Sequence, residues 1–273
     1  MKFMTLGMGV LSAAMIFTTV APVHAATKTM YLVDHYKGDK TFFPDQKITY
    51  NKSGLISTIK QTGDEENFTS YSNAYSESFA YKNNRIVKIN FKSENKKQTN
   101  TPTYKGSKLS KVTCSSNDSY GGKTKVTTNY TYKGSHFKAC KIVSTSSGSK
   151  EKETTKLKYT YTNGLLTREK GLNYSLIDNL YKYDNKGYLS YKDPIALGED
   201  VEIGVYFKNS YANGLLKSTK VSKYETFSSV PPKAPVLTVT YKKVKVNASL
   251  AKKVKAQQAW ILRNIRDDSI YNC

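Results

Sequence analysis

Arginine, histidine, tryptophan and cysteine are all scarce in this chain of 273 residues. Arginine occurs only at Arg85, Arg168, Arg263 and Arg266, so the 43 basic residues are nearly all lysine. Lysine is a flexible, strongly hydrated point charge, whereas bidentate reading of phosphates and bases favours the planar guanidinium. The formal net charge of +22 thus points to anionic partners, while the residue type argues against nucleic acid. The three histidines, His24, His35 and His136, lie in separate segments without ligand-like spacing, which excludes a motif-built metal site. No nucleophile–base arrangement and no Gly-rich phosphate loop opening a helix is present. The sequence therefore indicates no catalytic residues, no metal and no cofactor. Two acidic clusters, Asp64-Glu65-Glu66 and Glu199-Asp200-Val201-Glu202, leave glycan hydrolysis by paired carboxylates as an alternative.

Long apolar runs are also absent after the amino terminus. Lys2 precedes an apolar stretch from Phe3 to Val20, and Ala21-Pro22-Val23-His24-Ala25-Ala26 follows it. A positive start, an apolar middle and a Val-x-Ala ending make a signal peptide over 1–25, cut before Ala26. The expectation is a secreted or cell-surface protein with a single β-repeat domain over 26–273. Export permits disulfides. Of Cys114, Cys140 and Cys273, the first two sit at offsets of equal parity from Tyr104 and Tyr132. They should leave the same face of their strands, so a Cys114–Cys140 bridge stands beside two free thiols.

What the chain has in abundance is tyrosine, 22 of them, arranged in a repeat. A tyrosine, a short Gly/Asn-rich turn and an apolar residue recur from Tyr50 (YNKSGL), Tyr81 (YKNNRI), Tyr104 (YKGSKL), Tyr132 (YKGSHF), Tyr161 (YTNGLL), Tyr183 (YDNKGYL) and Tyr211 (YANGLL). Asn163-Gly164 and Asn213-Gly214 are type I′ hairpin signals, and Asn83-Asn84 is a weaker one. Gly106 and Gly134 stand first in their turns, as type II′ requires, while Gly54 and Gly187 suit a left-handed position closing a longer loop. The flanking runs alternate with period two: Leu157, Tyr159 and Tyr161 on one face oppose Lys156, Lys158 and Thr160. Likewise Val87, Ile89 and Phe91 are expected to oppose Lys88 and Asn90. This is antiparallel β-structure with one buried and one wet face.

The pattern implies a wide curled antiparallel sheet or incomplete β-barrel of roughly 14–16 strands over about 28–246. The motif tyrosines should pack inward, with an exposed sugar-stacking platform as the rival reading. Segments 193–202 and 226–235 interrupt the rhythm as loops. Asn247 or Ser249 caps a helix over about 248–266, whose Leu250, Val254, Ile261 and Ile265 should dock on the sheet, with Trp260 and Leu262 beside them. Residues 233–266 hold nine basic side chains and no acidic one. Lys242, Lys243, Lys245, Lys252, Lys253 and Lys255 are therefore candidate polyanion contacts, and a membrane-surface contact is a second reading of the same segment.

The unit Tyr183-Asp184-x-x-Gly187-x-Leu189 resembles the YD repeat of RHS-type proteins, and the similarity extends over most of residues 40–220. That resemblance implies strand hairpins coiled into long β-sheets or shells; large members enclose a toxin or mediate adhesion and carbohydrate binding. The whole layout is similar to small secreted proteins of Gram-positive gut bacteria. The resulting expectation is an exported, non-catalytic binding or structural module contacting an anionic cell-wall polymer or glycan. A carrier of lipid or a small apolar ligand on the concave side of the sheet is the alternative.

Overall fold

Asn163 and Gly164 both take positive φ, 52° and 78°, and Asn83 and Asn84 do the same at 51° and 58°. Each pair turns the chain through a type I′ corner whose twist suits the strands on either side. Gly106 and Gly134, at φ 57° and 62°, open the type II′ corners expected of them. The computed structural model describes residues 26–38, 45–62, 74–119, 121–147, 152–172, 178–194, 203–212, 215–225 and 237–263. The turn at Asn213-Gly214 and the loops over 195–202 and 226–236 lie outside these residues, as do the signal segment, Ile265 and Cys273.

Seven hairpins follow from the seven motifs. They are β2 (Gln46–Tyr50) with β3 (Ile56–Gln61), β4 (Tyr75–Lys82) with β5 (Arg85–Ser93), and β6 (Lys96–Lys105) with β7 (Lys108–Asp118). Next come β8 (Lys123–Lys133) with β9 (His136–Ser146), and β10 (Glu153–Thr162) with β11 (Leu165–Leu172). The last two are β12 (Asp178–Tyr183) with β13 (Leu189–Pro194), and β14 (Ile203–Ala212) with β15 (Leu215–Glu225). The terminal strands β1 (Thr27–Gly38) and β16 (Leu237–Asn247) pair with each other along eleven register positions. The sheet is therefore a closed antiparallel barrel of sixteen strands. The expectation of an open sheet or incomplete barrel is corrected here: local spacing counts the strands, but closure depends on pairing between the two ends of the chain.

Every hairpin carries the same irregularity. The register shifts immediately before the motif tyrosine, at Thr49/Tyr50, Ala80/Tyr81, Thr103/Tyr104, Thr131/Tyr132, Thr160/Tyr161, Lys182/Tyr183 and Ser210/Tyr211. One residue of each returning strand is thus left unpaired, a β-bulge that bends the strand and adds twist. The bulge also moves the buried positions. Ile86 and Ile89 point inward and Val87, the bulged residue, is exposed, so the expected face of Val87, Ile89 and Phe91 is wrong at Val87. The pair β1–β16 repeats the unit without a connecting turn. Tyr241 lies opposite Val33, Thr240 opposite His35, and Asp34 is the extra residue. An eighth unit is split between the two ends of the chain and closes the ring.

A round cylinder of sixteen strands tilted by about 40° would be about 30 Å across and hold an aqueous channel. Here Leu157, Val221 and Val239 are wholly buried, and inward side chains from all the strands join one hydrophobic cluster. Buried side chains therefore fill the interior. After β16, Asn247 caps a short 3-10 turn (Ala248–Leu250) with its side-chain oxygen accepting from the Ser249 N–H. The turn runs straight into α1 (Ala251–Arg263).

Candidate functional site

The motif tyrosines stitch neighbouring hairpins together. Tyr81 donates its hydroxyl to the Ile56 carbonyl at 2.8 Å, Tyr104 to Ile86 at 3.0 Å, Tyr132 to Leu109 at 2.7 Å and Tyr183 to Leu166 at 2.8 Å. In each case the acceptor is the apolar residue that stands opposite the motif tyrosine of the hairpin before. Tyr50 makes the same bond to Val33 at 2.6 Å, across the split unit. Burial pushes the Tyr104 hydroxyl up to about 12 and those of Tyr50, Tyr81 and Tyr132 well upward, so all remain donors. Residues beside these acceptors reinforce the stitch. Arg85 donates to the Gly106 carbonyl at 2.7 Å and covers the Tyr104 ring; Lys108 does likewise with Gly134 at 2.8 Å and Tyr132. Six motif tyrosines, Tyr50, Tyr81, Tyr104, Tyr132, Tyr161 and Tyr183, thus pack against the core and form no sugar platform, while Tyr211 bonds to Asp184 and stacks on Tyr188.

Asp184 has a counterpart in Asn51. Its Oδ1 accepts from the N–H groups of Lys186 and Tyr188, and Asn51 Oδ1 accepts from Ser53 and Leu55 in the same way. Asp184 alone adds a charge, and its Oδ2 accepts from Asn209 Nδ2 at 2.9 Å and from the Tyr211 hydroxyl.

Helix α1 lies across the end of the barrel where these turns gather. Its apolar residues Val254, Ile261 and Leu262 are buried, but the stripe is completed by two buried glutamines. Gln257 Oε1 accepts from the Ile56 N–H at 3.0 Å, and its Nε2 donates to Tyr81 at 3.0 Å. Gln258 Oε1 accepts from the Val33 N–H at 2.7 Å, and its Nε2 donates to Tyr50 at 3.1 Å. Adjacent glutamines therefore close identical three-membered rings on two neighbouring units. Lys253 donates to the Asn84 carbonyl and Lys255 to the Lys186 carbonyl at 3.2 Å. Those two turns are eight strands apart in a ring of sixteen, so one helix ties opposite sides of the mouth.

These contacts divide the six lysines expected to hold a polyanion. Lys253 is only 5% exposed, and burial, aided by Arg85, lowers its amine to about 8. Lys242 pairs with Asp34 at 2.7 Å, and Lys255 is fixed over the Tyr188 ring. Lys243, Lys245 and Lys252 remain exposed. The basic segment is thus half structural: Lys253 is removed as a surface contact, and Lys242 and Lys255 are already engaged. The Trp260 side chain lies outside the described residues.

The larger basic surface is the outer wall, where alternation places lysine and threonine. Toward the end opposite α1, cross-strand partners run in one row: Lys47, Lys60, Ser76, Lys92, Lys97, Asn117 and Lys123. The five lysines are exposed, form no ion pair among the described residues, and have no acidic register partner within the row. Lys47 faces Lys60 and Lys92 faces Lys97 directly, an arrangement that destabilises a sheet. Two residues along each strand, a second row carries hydroxyls and an amide from β2 to β7, at Thr49, Thr58, Ser78, Asn90, Thr99 and Ser115, and ends on Lys125 of β8. Sequence alternation indicated a lysine face; only the register aligns its members. Along these two rows of β2–β8 the outward residues are polar, unlike the apolar band of a membrane-spanning barrel. No helix among the described residues is long and apolar enough to cross a membrane.

The interior away from α1 turns polar. Gln46 Nε2 donates to Gln61 Oε1 and to the Tyr75 hydroxyl, both at 2.8 Å, and Tyr36 donates to Gln46 Oε1. Cys114 and Cys140 point into the core, as their parity indicated, but both are free. Cys114 faces Val126 and Cys140 faces Tyr130 on opposite sides of β8. Two strand spacings put their backbones about 10 Å apart or more, beyond disulfide reach; the expected bridge is corrected to two buried thiols. Both acidic clusters lie outside the described residues, and among those described no group of metal-ligating side chains occurs. No protein-family model matches the chain, and no curated protein matches it.

Proposed function

We propose that the protein is an exported, non-catalytic binding module that meets an anionic cell-surface polymer or glycan through its lysine-bearing outer wall. The observation that carries this reading is the row from Lys47 to Lys123, five exposed lysines without ion-pair partners among the described residues. Unrelieved repulsion of this kind is lowered when an anion is bound. The signal-like segment at 1–25 supports export, and the hairpin unit supports kinship with YD-repeat proteins. The filled interior offers no support to the carrier reading. Chromatography of the mature protein on sulfate-bearing and neutral dextran resins tests the proposal. Retention on the sulfated resin alone is expected; equal passage through both would overturn it.

A further inference from the structure

We infer that the bound ligand is an anionic glycan lying around the barrel, across the strands, with its charged groups on the lysine row and its hydroxyls on the threonine row beside it. This rests on the polyanion reading above and adds a site, a direction and a ligand class. The row crosses six strand intervals from β2 to β8, about 29 Å of wall, long enough for several sugar units. Its charges come as two adjacent pairs and a single: Lys47 with Lys60, Lys92 with Lys97, then Lys123. Uncharged Ser76 and Asn117 fill the intervening strands. Among the described residues those like-charge pairs have no ion-pair partner, and they oppose sheet stability.

The second row supplies the other half of the recognition. Thr49 and Thr58 share a hydrogen bond of 2.7 Å between their hydroxyls, and Thr99 donates to Asn90 Oδ1 at 3.3 Å. These bonds order the hydroxyls and use only part of each oxygen's capacity, leaving lone pairs that can accept from sugar hydroxyls. A ligand with charge but no hydroxyls would gain nothing from the stretch of the second row between Thr49 and Ser115. Lysine's point charge suits sulfate, carboxylate or phosphate substituents without a fixed fork geometry.

Dextran sulfate and inorganic polyphosphate serve as probes, with affinities measured by titration calorimetry. Replacing Lys47, Lys60, Lys92 and Lys97 together by Gln should weaken dextran sulfate binding at least about ten-fold more than replacing the exposed Lys156, Lys158, Lys217 and Lys220 by Gln, which removes equal charge. Equal losses would overturn the track while leaving charge-driven binding intact; no binding by the native protein would overturn both. The triple variant Thr49→Val, Thr58→Val and Thr99→Val should weaken dextran sulfate binding and spare polyphosphate. Equal effects on the two probes would overturn the glycan assignment. Should a variant fail to fold by circular dichroism, acetylation footprinting of the native protein decides. Dextran sulfate should protect the row lysines over Lys217 and Lys220, and uniform protection would count against the track.

Discussion

Tyr241 lies in register with Val33, although the two stand at opposite ends of the chain. They occupy the places that Tyr81 and Ile86 hold within a hairpin, bulge included. The barrel is thus seven hairpins closed by an eighth unit whose turn is missing, and the chain leaving that open unit becomes the helix that covers the mouth. Gln258 then grips Val33 and Tyr50 together, fixing the closure from above.

Closure by core packing makes Val33 costly to shorten. Val33→Ala removes methyl groups from a wholly buried site and should cost about 2 kcal/mol. Val87→Ala, at a bulged and exposed position, should stay within about 0.5 kcal/mol. Urea unfolding followed by circular dichroism distinguishes them; equal midpoints would contradict the split-unit closure.

Acid should expose the role of Asp184. Burial alone would raise its carboxyl, but bonds from Tyr211, the Tyr188 N–H, Asn209 and the Lys186 N–H outweigh it and hold the group below the usual range. The stability this gives is present above the unfolded value near 4 and is lost as pH falls through the lower folded value. Asp184→Asn keeps the turn, as Asn51 shows, but loses the charged acceptor of Tyr211. We expect it to be less stable at neutral pH by about 2 kcal/mol and to lose less stability than the native protein on acidification. Parallel pH–stability curves would rule this out.

Much of this architecture is legible in the sequence. Asn163-Gly164 and Gly106 announce their corners, and Leu157, Tyr159 and Tyr161 announce an inward face. The bulge is written more faintly, in apolar residues three apart after the first three turns: Ile56 and Ile59, Ile86 and Ile89, Leu109 and Val112. That spacing resembles broken alternation until the unpaired residue is known. The closure has no local signal, because Tyr241 meets Val33 only when the ring is complete. The glutamines were hidden for a different reason. A polar pair at 257–258 interrupts an apolar stripe, and its purpose depends on backbone groups left unpaired two hundred residues earlier.

Alkaline titration should report Lys253. Its folded value of about 8 lies below the ordinary 10.5, because burial and then Arg85 disfavour the charged form. The cost is fully present below pH 8 and lifts as pH rises toward 10.5, where the unfolded chain still holds the proton. Native stability should therefore rise relative to Lys253→Met across that interval. A constant difference between the two proteins, measured by chemical unfolding at several pH values, would refute a buried amine.

The buried thiols give a chemical test of the interior. Burial pushes Cys114 and Cys140 up to about 11, which suppresses the reactive thiolate. In a Cys273→Ser background, a thiol reagent at pH 8 should leave both unmodified until denaturant is added, and then label two sites. Reductant should not change the melting temperature. Rapid labelling in the native state, or a mass showing a bridge, would contradict the packed core.

The most direct test of a lysine wall that binds polyanions is the salt dependence of that binding. Calorimetric titration with dextran sulfate between about 0.05 M and 0.5 M salt should show affinity falling steeply and continuously as the screening length shortens. Affinity that is unchanged across that range would contradict the account.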